Sequence, residues 1–302
     1  MTSQDSFPLP DPRLNNKIAH YDRNEVIANL HSFYNFLPHI SASQIATAPP
    51  DGWPEITASS LAVHGIYKTP EALELLRYLP YISCDQPWIM ITAMVCDYRR
   101  VTLSPTAREK PLWMYQVAEK QWPAWVVQLT SGTDREDHRY MLDTTDGTIT
   151  MHCTGGHFEY PPTYEPDDPR GWRDRECYPE TVTLKDWLEK WREEYRQTTV
   201  LAVPEDSIYD GYGSWDLFFG GLEDKPGSYN FEEMDGLRKI YREYGWPDRE
   251  KYRKQACIQA IQHWYRSFME GKRKERRIEL LEFWKQRGIA PPEESNTQDT
   301  GK

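Results

Sequence analysis

The sequence predicts an α+β protein with a mostly antiparallel sheet covered by helices and an added C-terminal helical segment. Three observations carry that prediction. Capped amphipathic helical stripes precede residue 80, short β-branched and aromatic runs fill the middle, and a helical period returns after residue 248. The chain of 302 residues then divides into an α+β body at 21–200, an aromatic-rich and helical extension at 201–290, and polar tails at 1–20 and 291–302 that are expected to be disordered.

The elements follow in order. In "DRNEVIANLHSFYNFLPHI" the residues Val26, Leu30, Phe33 and Leu37 recur at helical spacing, with Asp22 as N-cap and Pro38 as the stop. Thr69 caps a second helix that Pro70 opens and that ends at Tyr78 or Leu79, before Pro80. The period then changes, and residues 87–103, 112–118 and 124–130 read as three antiparallel strands. "HRYMLD" and "TITMH" flank an Asp146-Gly147 step, a strong hairpin signal, which makes Met141 and Ile149 candidates for one face. Residues 154–180 carry Pro, Gly and Asp without a period, a long loop of the kind that either works or is disordered. "TLKDWLEKWREEYRQ" puts Leu184, Trp187, Leu188, Trp191 and Tyr195 on one stripe with Thr183 as the cap. Beyond a glycine- and aromatic-rich stretch at 208–247, Ile258, Ile261, Tyr265 and Phe268, then Leu280, Leu281 and Trp284, keep helical spacing.

Composition bounds the function. A formal net charge of -11 opposes non-specific binding to a phosphate backbone, so no nucleic-acid partner is expected. The five scattered cysteines contain no C-x-x-C pair, which points to reduced thiols and a cytoplasmic setting. No apolar run approaches the length of a membrane span, so no membrane association is expected. One basic run, Lys272 to Arg277, reads first as the solvated face of a helix and second as a nuclear-import signal.

Chemistry has few places to sit. Asp143, Asp146 and Gly147 lack the order of a calcium loop and read as a turn. His152, Cys153 and His157 are the most metal-like group, yet neighbours on a strand point to opposite faces, so no metal site and no cofactor is assigned. Neither a nucleophile elbow nor a phosphate loop is present. The catalytic alternative is a small-molecule enzyme in which His152 or His157 works with Asp143 as an acid-base pair. The binding alternative rests on tryptophans outside the helical stripes, since Trp offers much apolar area with little rotamer entropy to lose.

The order of a helix ending "LLRYLPYI", a strand pair, "YMLDTTDGTITMH" and the capped helix "TVTLKDWLEKWREEY" resembles the SUKH superfamily of Smi1-like proteins, especially its fungal members. Leu142, Asp143, Gly147, Ile149, Leu184, Trp187 and Leu188 carry the likeness, which spans about residues 70–195. The resemblance implies a protein-binding module in place of a catalyst. The leading expectation is accordingly an intracellular, regulatory protein-binding module whose face combines Trp88, Asp143, Asp146 and Trp172.

Overall fold

The computed structural model describes residues 11–15, 17–103, 122–131, 138–153, 161–174, 180–210 and 229–287. A 3-10 turn at Pro12–Leu14 leads to helix α1 (Arg23–Phe36), strand β1 (Ile45–Ala46) and helices α2 (Ala58–Ala62) and α3 (Pro70–Tyr78). Strands β2 (Tyr81–Ile82), β3 (Trp88–Met90) and β4 (Ala93–Val95) precede the short helix α4 (Tyr98–Leu103). Then come β5 (Val126–Gln128), β6 (Thr130–Ser131), β7 (His138–Asp143), β8 (Thr148–Cys153), a 3-10 helix at Pro169–Asp174, β9 (Thr181–Thr183) and helix α5 (Leu184–Gln197). A hairpin of β10 (Val200–Val203) and β11 (Ser207–Asp210) and two helices, α6 (Tyr229–Glu243) and α7 (Lys254–Gln286), follow.

The architecture is α+β, and every recorded strand pairing is antiparallel. The largest sheet has the order β5-β7-β8-β9; a second has the order β3-β4-β6, and β1-β2 and β10-β11 form two-stranded ribbons. The helix caps expected from sequence are made: the side chains of Asp22, Thr69 and Thr183 accept from the backbone N–H of Glu25, Ala72 and Asp186. One core joins all regions. Phe33, Leu76, Leu142, Ile149, Trp187, Tyr195, Leu201, Leu237, Tyr241 and Ile261 belong to a single buried cluster, so the C-terminal extension packs onto the body and is no separate unit. Buried hydroxyl and indole groups tie the seam, with Tyr241 Oη donating to the Ala202 carbonyl at 2.7 Å and Trp246 Nε1 to the Tyr195 carbonyl at 2.8 Å.

Several expectations need correction. Residues 87–103 form a tight hairpin and a helix in place of one strand. Thr92 turns the chain at φ 53°, and Asp97 caps the start of α4 by accepting from Arg99 N at 3.1 Å. The 124–130 run is divided between two sheets as β5 and β6. Met141 and Ile149 lie on opposite faces, because the register pairs Leu142 with Ile149 and Met141 with Thr150. Within the stretch expected as an N-terminal tail, residues 11–15 and 17–20 are described, and the Asp11 side chain is buried. The strand expected at 112–118, and the tail at 291–302, lie outside the described residues.

Candidate functional site

The β7-β8 hairpin turn prepares two carboxylates. Thr145 donates from N and Oγ1 to Asp143 Oδ1, and Thr148 donates from N (2.9 Å) and Oγ1 (2.7 Å) to Asp146 Oδ1. Each aspartate thereby spends one oxygen on the turn and keeps Oδ2 for another partner. Gly147 closes the turn at φ 76°, and a Cβ there would stand 2.3 Å from the His20 carbonyl oxygen, so only glycine lets the turn seat against the N-terminal segment.

The partner is Arg173, on the 3-10 helix at Pro169–Asp174 and wholly buried. Its Nη2 donates to Oδ2 of both Asp143 and Asp146 at 2.8 Å, while Nη1 donates to Asp11 from the N-terminal turn. Tyr164 Oη donates to the two oxygens of Asp11 at 2.9 and 3.0 Å. Arg13 donates to Asp174, whose second oxygen accepts from the N–H groups of Thr163 (2.9 Å) and Tyr164 (3.0 Å). Three segments remote in sequence are thus tied by one guanidinium.

Three carboxylates around one guanidinium leave an excess of negative charge in a dry place. Burial, and then the neighbouring Asp146, push the Asp143 carboxyl above the usual carboxylate range against the pull of Arg173. Burial works against the Arg173 charge, but Asp146 and Asp143 outweigh it and hold its pKa above the ordinary guanidinium value. The cluster therefore makes Asp143 harder to ionise than an ordinary carboxyl and holds Arg173 as a cation.

A small aromatic box adjoins this network on the face of the sheet away from α5. His152, fully buried, lies 4.7 Å from the Trp122 ring and 5.6 Å from the Trp172 ring, nearly parallel to the latter at 27°. Val126 and Met141 complete this second apolar cluster. The Arg173 guanidinium sits 5.5 Å from the Trp172 ring centre, so one residue pair joins the charged network to the box.

The structure brings Asp143, Asp146, Trp172 and His152 into one neighbourhood, in which Asp146 alone of the four is partly exposed. Asp143 and His152 have no exposure and Trp172 has 3%. His152 and Asp143 are also separated along the hairpin: His152 pairs with Arg139, four residues before Asp143, a backbone distance of roughly 13 Å, beyond direct hydrogen-bond reach. Trp88 is elsewhere, on β3 of the second sheet, half-buried, with its indole N–H on Gln86 Oε1 at 2.9 Å. His157 lies outside the described residues. Among the described residues no group of three His, Cys, Asp or Glu side chains could hold a metal ion. An open cleft of about 450 Å³ is lined by residues of β9 and of the N-terminal turn, but Arg13 in its wall is already committed to Asp174 and Thr163.

The sequence reading did not reach Asp11, Tyr164, Arg173 or the role of Trp122. Arg173 had only a weak signal, a cation in "DDPRGWRDR" at 30 and 27 positions from Asp143 and Asp146. Asp11 had none, because a short polar turn in a Pro-rich stretch looks like a tail. A scan against protein-family models, a search of curated proteins and a search of solved structures each returned no significant match. No helix among the described residues is long and apolar enough to cross a membrane.

Proposed function

We propose that the chain is a non-catalytic, intracellular protein-binding module of regulatory type, a reading that includes the Smi1-like relationship. The observation that supports it most is the distal half of α7. Ile278, Leu280, Leu281 and Phe283 are 57%, 42%, 42% and 44% exposed on an ordered helix, a concentration of apolar surface that water-soluble chains reserve for partners. The engagement of the hairpin carboxylates supports the same reading: Asp143 and Asp146 are occupied by Arg173, which favours α7 over the hairpin as the binding surface.

The test is reconstitution. Full-length protein bearing a tag is recovered from its own cells, and any co-purifying protein is produced separately and mixed with the pure chain. A complex of defined stoichiometry, formed from the two pure components with a Kd of about 1 μM or tighter, is the expected result. Failure of every co-purifying protein to rebind, together with a small-molecule turnover that the His152→Ala variant abolishes, would replace this reading with the enzymatic one.

A further inference from the structure

Helix α7 changes sides along its length. Its buried residues, Cys257, Ile258 and Ile261, are all in the first turns, where the helix packs on the body. Trp264 extends that contact, lying so close to Gly236 of α6 that a Cβ there would stand 2.2 Å from its ring. Lys272 Nζ adds an ion pair to Glu232 at 2.8 Å. From Arg273 to Arg287 every residue is exposed except the partly buried Trp284.

At about 100° per residue, with Ile261 as origin, the packed residues Cys257, Ile258 and Ile261 span an arc of roughly 100°. Phe283, Leu280, Trp284, Leu281 and Ile278 fall at roughly 40°, 100°, 140°, 200° and 260°, an arc of about 220° that begins at the packed side with Phe283 and has its centre about 140° away from that of the packed residues. The charges divide along the same line. Arg276, Arg273, Arg277 and Lys274 fall at about 60°, 120°, 160° and 220°, within the apolar arc, whereas Glu282, Glu275 and Glu279 fall at about 300°, 320° and 0°. The stretch 271–287 holds seven basic residues against three acidic ones, a net +4 in a chain whose total is -11. Apolar and cationic groups share one side of this helix, and its acids take the other.

We propose that the distal half of α7, residues 273–287, docks as a helix into an apolar groove with an acidic rim on a partner protein; this rests on the binding-module reading above. An apolar arc of about 220° is wider than the roughly 100° stripe that one packed surface covers, so it calls for a groove that encloses the helix from several sides. The basic turn ahead of the apolar residues sets the sign of the rim. A second copy of the same helix fits poorly. Parallel pairing sets the two basic clusters side by side, and antiparallel pairing sets Lys285 and Arg287 against the cluster at 273–277. An anionic bilayer fits poorly as well, because Arg273 and Arg277 stand over the middle of the apolar arc instead of at its flanks, and the whole chain is acidic.

The experiment uses the full chain, its L280D/L281D variant and its R273E/K274E/R276E variant, with calcium-loaded calmodulin as a probe whose apolar groove carries an acidic rim. All substituted positions are exposed, and unchanged circular dichroism confirms that each variant keeps the fold. Expected are saturable binding of the parent, a loss of about tenfold or more in affinity for either variant, and weakening as NaCl rises past about 0.15 M. Absence of binding by the parent overturns the proposal. So does a parent dimer that L280D/L281D dissociates in sedimentation, which assigns the face to a second copy, and so does sedimentation of the parent with phosphatidylserine vesicles in place of probe binding. A reconstituted partner that binds L280D/L281D as tightly as the parent removes α7 as the docking element and leaves the module reading standing.

Discussion

The Arg173 cluster and the distal half of α7 are opposite departures from ordinary burial. In the first, three buried charged side chains and the partly buried Asp146 sit together; in the second, four large apolar side chains face water. The difference lies in where the compensation is found. Arg173 meets Asp11, Asp143 and Asp146 within the chain, so that inversion is closed and holds the fold together. Ile278, Leu280, Leu281 and Phe283 meet no such compensation among the described residues, so that inversion is open, and openness of this kind marks a site of contact.

The largest effect comes from breaking the closed cluster. Replacing Arg173 with Met leaves three carboxylates around an apolar side chain and should cost about 4 kcal/mol, read as a lowered urea midpoint, because removing one partner of a buried ion pair strands the others. Neutralising the stranded carboxylates in the same chain, with Asp143→Asn and Asp146→Asn, should restore a large part of that loss. A single Arg173→Met midpoint close to the parent's would remove the cluster's structural role. Next in size is the aromatic box: Trp172→Ala opens a cavity beside His152 and Trp122 and should cost about 3 kcal/mol by the same measurement.

How far these regions could be read beforehand differs for a physical reason. The helices at 23–36, 70–78 and 184–197 were legible because caps and period are local properties, and Asp22, Thr69 and Thr183 do what their neighbours in sequence require. The hairpin was legible for the same reason, from Asp146-Gly147. The face to which Met141 turns depends on register, and register is a pairing between segments, so the expectation that it shares a side with Ile149 went astray. The charge cluster joins positions 11, 143, 146 and 173, and no window along the sequence contains them. Residue type alone does not distinguish an anchor on the surface from one in the interior, and of the expected binding face Asp143 and Trp172 are buried. The apolar positions Leu280, Leu281 and Trp284 were seen, but that they turn away from the core is evident only once the packed turns of α7 are known.

A smaller effect, with a definite sign, comes from the proton on Asp143. Its folded pKa is raised above the unfolded value, first by burial and then by Asp146, so folding takes up a proton there. Stability contributed by this group is full below the unfolded carboxylate pKa and declines as pH rises through the folded one. Asp146→Asn removes the neighbouring charge that adds to the shift. Relative to the parent, the variant should therefore gain stability as pH climbs from about 4 to 7, measured as the difference in urea midpoints at each pH. A difference that stays flat, or that falls with pH, would show that Asp143 is ionised in the folded protein.

The smallest effect belongs to the open region, and its smallness is the point. Leu280→Ala and Leu281→Ala remove apolar groups that the fold leaves in water, so each should change the stability of the isolated chain by less than about 0.5 kcal/mol. Exposure of 42% at both positions sets that expectation. The same two side chains in a core would cost several times more, since truncating a buried leucine forfeits its transfer free energy and leaves a cavity. A loss of about 2 kcal/mol or more would mean that another part of this chain covers α7 in solution, and the inversion would then be closed internally like the one at Arg173. A negligible loss in the free chain, accompanied by a large one once a reconstituted partner is bound, would locate the compensation outside the molecule, because a residue stabilises only the state in which its surface leaves water.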